Sequence, residues 1–205
     1  KNLINKMKKI LVTTGGTGGH VMPAKIIFEH LNTNYEIIFT TDLRGHKYLK
    51  TKNFKIKIID TPKLDINIFL PLKIIKLSYL IIDSIFYLKK EKINKVISTG
   101  GYMSLPICIA AKFIGLKIYL LEPNLTLGRA NKFFLSFSKK IICYSKNLKN
   151  LSDKFNDKIE VVKPLVHKKF YEVKKKNNLI KKNFCLLIFG GSQGANIFDT
   201  QINKA

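Results

Sequence analysis

Three short stretches hold the residue types that anion chemistry needs. "VTTGGTGGHVMPA" (12–24), "STGGYMSLP" (98–106) and "FGGSQGAN" (189–196) each carry a glycine pair where an apolar or β-branched run stops. Glycines there let backbone N–H groups approach a phosphate, and a helix opening beyond them adds the positive end of its dipole. His20 follows the first glycines directly. An imidazole, with a reference pKa of about 6.5, can take a proton from a hydroxyl at neutral pH. Two common loops fit poorly. A GxxxxGK[ST] phosphate loop counted from Gly15 meets His20, five residues on, in place of its second glycine, and the lysine is missing. The dinucleotide pattern GxGxxG fits Gly16 and Gly18 but meets Val21 at its third small residue. Asp42, near the end of the second apolar run, could imitate a ribose-binding acid, so a nicotinamide enzyme stays open as an alternative.

The elements that position these loops follow from periodicity. Residues 9–14, 36–41, 55–60, 95–99, 117–122 and 140–145 read as strands, and 24–32, 71–92, 105–113 and 128–137 have helical spacing. The alternation predicts βαβ units, a parallel sheet and a Rossmann-like α/β domain, with the glycine loops at the ligand-binding carboxyl edge. Residues 7–162 form this first domain in the reading. Residues 163–183, rich in lysine and asparagine, read as a linker, and 184–205 as the first β-α unit of a second domain. One such unit cannot bury its own apolar face, so the chain reads as truncated, with Met7 a natural start after an upstream extension.

The 205 residues carry 37 basic and 13 acidic side chains, a net charge of +24. Only Arg44 and Arg129 are arginines. Nucleic-acid readers lean on arginine, and no recognition-helix or RNA-binding motif is present, so no nucleic-acid partner is expected. The scattered lysines fit drift towards Lys, Ile and Asn, and also a surface favouring anionic lipid or diphosphate. Cys108, Cys143 and Cys185 sit far apart in apolar runs and read as buried thiols in a reducing compartment.

With a fourth segment, "LEPNLTLGRANKFF" (121–134), the chain resembles the bacterial undecaprenyldiphospho-muramoylpentapeptide N-acetylglucosaminyltransferases, the MurG family. The likeness lies in GGTGGHxxPA, GGYxSxP, HEQNxxxGxxN and GGSQGA, in order, from about residue 7 to 205. It implies a GT-B fold, acceptor domain first, and inverting transfer of N-acetylglucosamine from UDP-GlcNAc to the muramyl C4 hydroxyl of lipid I. It implies no cofactor and no protein-held metal, and no Asp-x-Asp pair occurs. By resemblance His20 is the base, and Thr17, Gly18, Gly19, Asn124, His167, Ser192 and Gln193 meet UDP-GlcNAc. Gly16, Gly101, Tyr102, Ser104 and Glu122 fall to the acceptor diphosphate. Leu121 and Pro123 depart from HEQN, and His167 stands where the family has a nucleotide-binding arginine.

"IFLPLKIIKLSYLIIDSIFYLKK" (68–90) is too interrupted by charge to span a bilayer. Lys73, Lys76, Asp83, Tyr87 and Lys90 form a polar stripe at helical spacing. Either the apolar remainder packs on the sheet, or Ile68, Phe69, Leu72 and Ile75 touch lipid while Lys73 and Lys76 meet anionic headgroups. The family resemblance favours the second, at the cytoplasmic face of the plasma membrane. A different reading is a non-catalytic module that docks on membrane and binds acceptor.

Overall fold

A computed structural model describes residues 7–49 and 54–172. The chain divides into two compact units, Lys1–Lys168 and Lys169–Ala205, and the elements below belong to the first. Seven parallel strands are β1 (Lys9–Thr13), β2 (Glu36–Thr41), β3 (Lys55–Ile58), β4 (Lys95–Ser98), β5 (Lys117–Glu122), β6 (Lys140–Cys143) and β7 (Ile159–Val161). They lie in the order β3-β2-β1-β4-β5-β6-β7. The helices are α1 (Gly18–Leu31), α2 (Leu43–His46), α3 (Leu70–Lys90), α4 (Leu105–Phe113) and α5 (Arg129–Phe134). The Rossmann-like α/β expectation holds.

Parallel strands covered on both faces need unbroken apolar runs, which β1, β2 and β4 have. Along β1, Leu11 joins one buried cluster with Ile38, Val96, Ile118 and Leu120. Ile10 and Val12 join the other, with Phe39, Ile97 and Val21 of α1. Register follows the same logic, pairing Ile10 with Ile37 on one side and Val12 with Ile97 on the other. Strand order reverses between β1 and β4, and the crevice outside their carboxyl ends is where open α/β sheets bind ligands.

Two elements differ from expectation in ways that matter. The spacing places the first helix at residue 24, after Pro23. The helix begins at Gly18 and carries Pro23 within it. Pro23 has no N–H for the Gly19 carbonyl, so one bond is lost in the second turn and the helix continues.

The second is α3. Lys73, Lys76, Asp83 and Tyr87 of its polar stripe turn towards β3 and the loop after it, while Lys90 stays exposed. Lys57 on β3 pairs with Asp83 at 2.6 Å, Asp60 with Lys76 at 3.1 Å and Asp65 with Lys73 at 3.7 Å. The Lys57 ammonium also lies 4.3 Å from the Tyr87 ring centre. Burial, then the Glu91 carboxylate, push the Tyr87 phenol up to about 12, which keeps it neutral. Because charge partners stand on the protein side, the apolar side is left bare. Ile68, Phe69, Leu72 and Ile75 are exposed, and Ile66, Tyr79, Ile82 and Phe86 extend that face. Ser84 and Leu88 are the helix's buried residues. Leu80, Ile81, Ile85 and Leu88 pack against the core, so part of the apolar remainder covers the sheet as the first alternative expects, while this outer face stays bare. Among the described residues no helix is long and apolar enough to cross a membrane.

Residues 163–168, the opening of the expected linker, are held to the first unit. Leu165 packs on the α1 side of the sheet, and Lys168 donates its backbone N–H to Glu29 at 3.2 Å.

Candidate active site

The first glycine loop leaves β1 and enters α1 in four residues. Gly16 has φ +84°, a conformation that side chains other than glycine's rarely adopt. Thr17 is extended and makes no side-chain cap, and the first turn of α1 holds no acidic residue. The helix N-terminus therefore keeps orphan N–H groups and an uncompensated positive dipole end, the conditions for holding an anion.

The second loop leaves β4 through Gly100 and Gly101, with φ +91° and +85°. The loops touch. A Cβ on Gly15 would stand 2.9 Å from Met103, and one on Gly101 would stand 3.3 Å from the Gly15 carbonyl. Glycine at these positions is required by close approach, and the crevice wall is correspondingly tight.

His20, half-buried on the first turn of α1, crosses to the second loop. Its Nδ1 lies 2.8 Å from the Thr99 carbonyl oxygen. A carbonyl only accepts, so Nδ1 carries the proton and the neutral ring keeps its lone pair on Nε2. A Cβ at Gly100 would come within 3.2 Å of the ring, so Gly100 makes room for it. Nε2 has no protein partner among the described residues, and His20 lines a cavity of about 610 Å³ with Gly100, Gly101, Tyr102, Asn124 and Arg129. An oriented base facing a cavity beside anion-binding N–H groups suits abstraction of a hydroxyl proton next to a diphosphate.

Two buried carboxylates hold the rim together. Asp42, 3% exposed, accepts from the Gly16 N–H at 3.0 Å, the Gly45 N–H at 2.7 Å and Arg44 Nε at 3.0 Å. Burial pushes its pKa up, but the Gly16 and Gly45 N–H groups and the Arg44 guanidinium outweigh it and hold the carboxyl below its ordinary value. A ribose-binding acid must present free oxygens, so the nicotinamide reading loses its acid. Arg44 reaches on to the Tyr102 hydroxyl at 3.4 Å, linking the first loop to the second.

Glu122, at the end of β5 and 2% exposed, accepts from the Gly128 N–H at 2.8 Å and from both N–H groups of Asn124, side chain at 3.0 Å and backbone at 3.3 Å. Asn131 adds a fourth bond at 3.0 Å. Its carboxylate is thus occupied in shaping the 123–128 loop, and Asn124 is fixed by it.

The profile of the glycosyltransferase family 28 N-terminal domain matches residues 10–143, which spans β1 to β6 and all five helices. The chain belongs to this family. It is 47% identical over 199 residues to the UDP-N-acetylglucosamine–N-acetylmuramyl-(pentapeptide) pyrophosphoryl-undecaprenol N-acetylglucosamine transferase of Pelagibacter ubique, covering 97% of this chain and 56% of that protein. The like-named protein of Rickettsia felis is 38% identical over 205 residues, covering 96% of this chain and 56% of its own. Among solved structures, MurG of Acinetobacter baumannii is similar in fold, with a TM-score of 0.64 at 23% identity over 76% of this chain and 45% of that one. The chain spans about half the length of these curated relatives.

Within the family 28 domain, the residues expected at the site distribute unevenly. Gly16, Thr17, Gly18, Gly19 and His20 share the first loop and turn, while Gly101, Tyr102, Glu122 and Asn124 line the cavity. Ser104 is buried and donates its hydroxyl to the Gly101 carbonyl at 2.6 Å, so it braces the second loop. His167 lies elsewhere, with Nδ1 2.8 Å from Glu29. Glu29 is eleven residues beyond Gly18, about 16 Å along α1. Burial raises the Glu29 pKa, but the His167 bond and the Lys168 N–H lower it overall. Ser192 and Gln193 lie outside the described residues.

Arg44 and Arg129 were not singled out by motif. Both stand at the crevice, Arg44 through Asp42 and Tyr102, Arg129 in the cavity wall. Their signal was composition: in a chain that uses lysine nearly everywhere, the planar, forked guanidinium is kept at the place where oxyanions would bind. Among the described residues no group of three His, Cys, Asp or Glu is placed to hold a metal.

Proposed function

We propose that this chain is the acceptor-side part of a GT-B glycosyltransferase that moves N-acetylglucosamine from UDP-GlcNAc to the C4 hydroxyl of the muramyl sugar of lipid I. The observation that carries this is the 2.8 Å contact between His20 Nδ1 and the Thr99 carbonyl, which leaves Nε2 without a protein partner among the described residues at the switch-point cavity. His20 takes the proton of the acceptor hydroxyl as that oxygen attacks the donor's anomeric carbon, and UDP leaves from the opposite side with inversion. The uncapped start of α1 and the glycine-loop N–H groups supply positive potential to diphosphate. The named activity of the Pelagibacter and Rickettsia relatives supports the substrate pair.

The bare apolar face of α3 supports peripheral docking on the membrane that holds such an acceptor, at its cytoplasmic face, with anionic headgroups met by nearby lysines. We assign the domain from residues 7 to 162 to the acceptor and residues from 184 onward to the donor.

Transfer of labelled N-acetylglucosamine to lipid I tests this reading. A form spanning the relatives' full length is expected to yield lipid II, and residues 1–205 alone little or none. Absence of product from the long form, with lipid I still bound, would replace the enzyme by a docking module.

A further inference from the structure

Two side-chain contacts reach from the first loop's side of the crevice to the second loop, and each fixes where a proton sits. One is His20 on the Thr99 carbonyl, which leaves a lone pair at the cavity. The other runs from Asp42 through Arg44 to Tyr102. Asp42 Oδ2 accepts from Arg44 Nε at 3.0 Å, and Arg44 Nη2 donates to the Tyr102 hydroxyl at 3.4 Å. A Cβ on Gly16 would stand 3.8 Å from the same Nη2, so the guanidinium lies against the first loop as it reaches the second. A guanidinium only donates, so the phenol oxygen is the acceptor of this bond and the hydroxyl hydrogen points away from Arg44. That hydrogen has no protein acceptor among the described residues. Tyr102 lines both the 610 Å³ cavity and a neighbouring one of about 230 Å³. A lysine ammonium, a point charge on a flexible stem, would set no such direction, and this lysine-dominated chain keeps an arginine here.

We propose that Arg44 is a positioning residue for the transfer. Held by Asp42, it makes the Tyr102 hydroxyl a hydrogen-bond donor to an oxygen of the acceptor substrate that carries no hydrogen. Arg44 itself touches no substrate and acts through Tyr102. His20 and Tyr102 then face the acceptor with opposite polarity, one taking the proton of the attacking hydroxyl and the other giving a hydrogen bond. This inference rests on the proposed function.

Steady-state transfer by a form spanning the relatives' full length tests it. Tyr102→Phe keeps the ring and removes only the hydroxyl. It should lower kcat/KM for lipid I about tenfold, with the KM for UDP-GlcNAc unmoved. Arg44→Met should lose nearly as much, and Arg44→Lys should fail to restore it. Adding Arg44→Met to Tyr102→Phe should cost less than about twofold more, because both act through one bond. The melting midpoint should stay in place, since the Arg44 side chain is 53% exposed and Asp42 keeps its two backbone donors. Losses that multiply in the double variant, or an Arg44→Met loss that moves the melting midpoint and both KM values together, would reduce Arg44 to a structural brace. Full activity of Arg44→Lys would overturn the directional role. No transfer by the unsubstituted form would overturn the proposed function and this inference with it.

Discussion

The crevice rim and the outer face of α3 solve opposite problems. At the rim, the buried carboxylates are answered: Asp42 and Glu122 hold three and four hydrogen bonds in near-complete burial. On α3 Lys73, Lys76 and Asp83 pair with the β3 side, Leu80, Ile81, Ile85 and Leu88 pack on the core, and a row of apolar side chains is left facing out. Buried carboxylates are costly unless fully bonded, so the rim is rigid by necessity. Exposed apolar side chains cost little in folding but mark a surface that has another solvent to meet. Under the proposed function, rigidity serves the chemistry and bareness serves the approach to a membrane-held acceptor.

The contrast can be broken from either side. The largest effect belongs to the rim: His20→Ala in a form that yields lipid II should lower kcat roughly a hundred- to ten-thousand-fold, with the fold intact by circular dichroism. Unchanged turnover would remove His20 as base. Next is Glu122→Gln, which leaves the donors of the 123–128 loop facing an amide. Urea unfolding should show a loss of about 2–3 kcal/mol, the range for hydrogen bonds to a charged group; a loss within experimental error would show that the loop holds without the carboxylate.

On the other side, Ile75→Asp with Phe86→Asp should weaken co-sedimentation with phosphatidylglycerol vesicles at least tenfold, about 1.4 kcal/mol. Both side chains are exposed, at 65% and 68%, so stability should stay within about 0.5 kcal/mol. Loss of fold with loss of binding would place the face in the core instead.

The smallest effect is in pH. Asp42 is held below its ordinary pKa, so in acid the unfolded chain binds its proton before the folded one does. Its stabilisation is complete above the unfolded value of about 3.9 and is lost as pH falls through the lower folded value. The urea midpoint should therefore drop as pH falls below about 4, less steeply in Asp42→Asn. Parallel slopes would mean that Asp42 does not contribute.

Much of this arrangement was legible in residue order. Six strands fell where β-branched runs stood, because the central parallel strands, buried on two faces, admit little else. What escaped was decided by distant partners. β7 is three residues long and, among the described residues, pairs with β6 alone. α2 is four residues capped by Asp42, whose bonds to Gly16 and Gly45 no periodicity announces. The stripe on α3 was visible, but its direction depended on Lys57, Asp60 and Asp65, which lie outside the helix. The motifs located His20, whereas its tautomer depended on a carbonyl 79 residues away. Ser104 and Glu122 fell in the right loops, yet the fold turns both inward as braces.

The most direct test of His20 as a poised base is its protonation pattern. Nitrogen NMR of the histidine-labelled chain above about pH 8, where imidazole is neutral, assigns His20 by comparison with His20→Gln. The account predicts a proton on Nδ1, donated to Thr99, and a pyridine-type Nε2. A proton on Nε2, with Nδ1 bare, would contradict it.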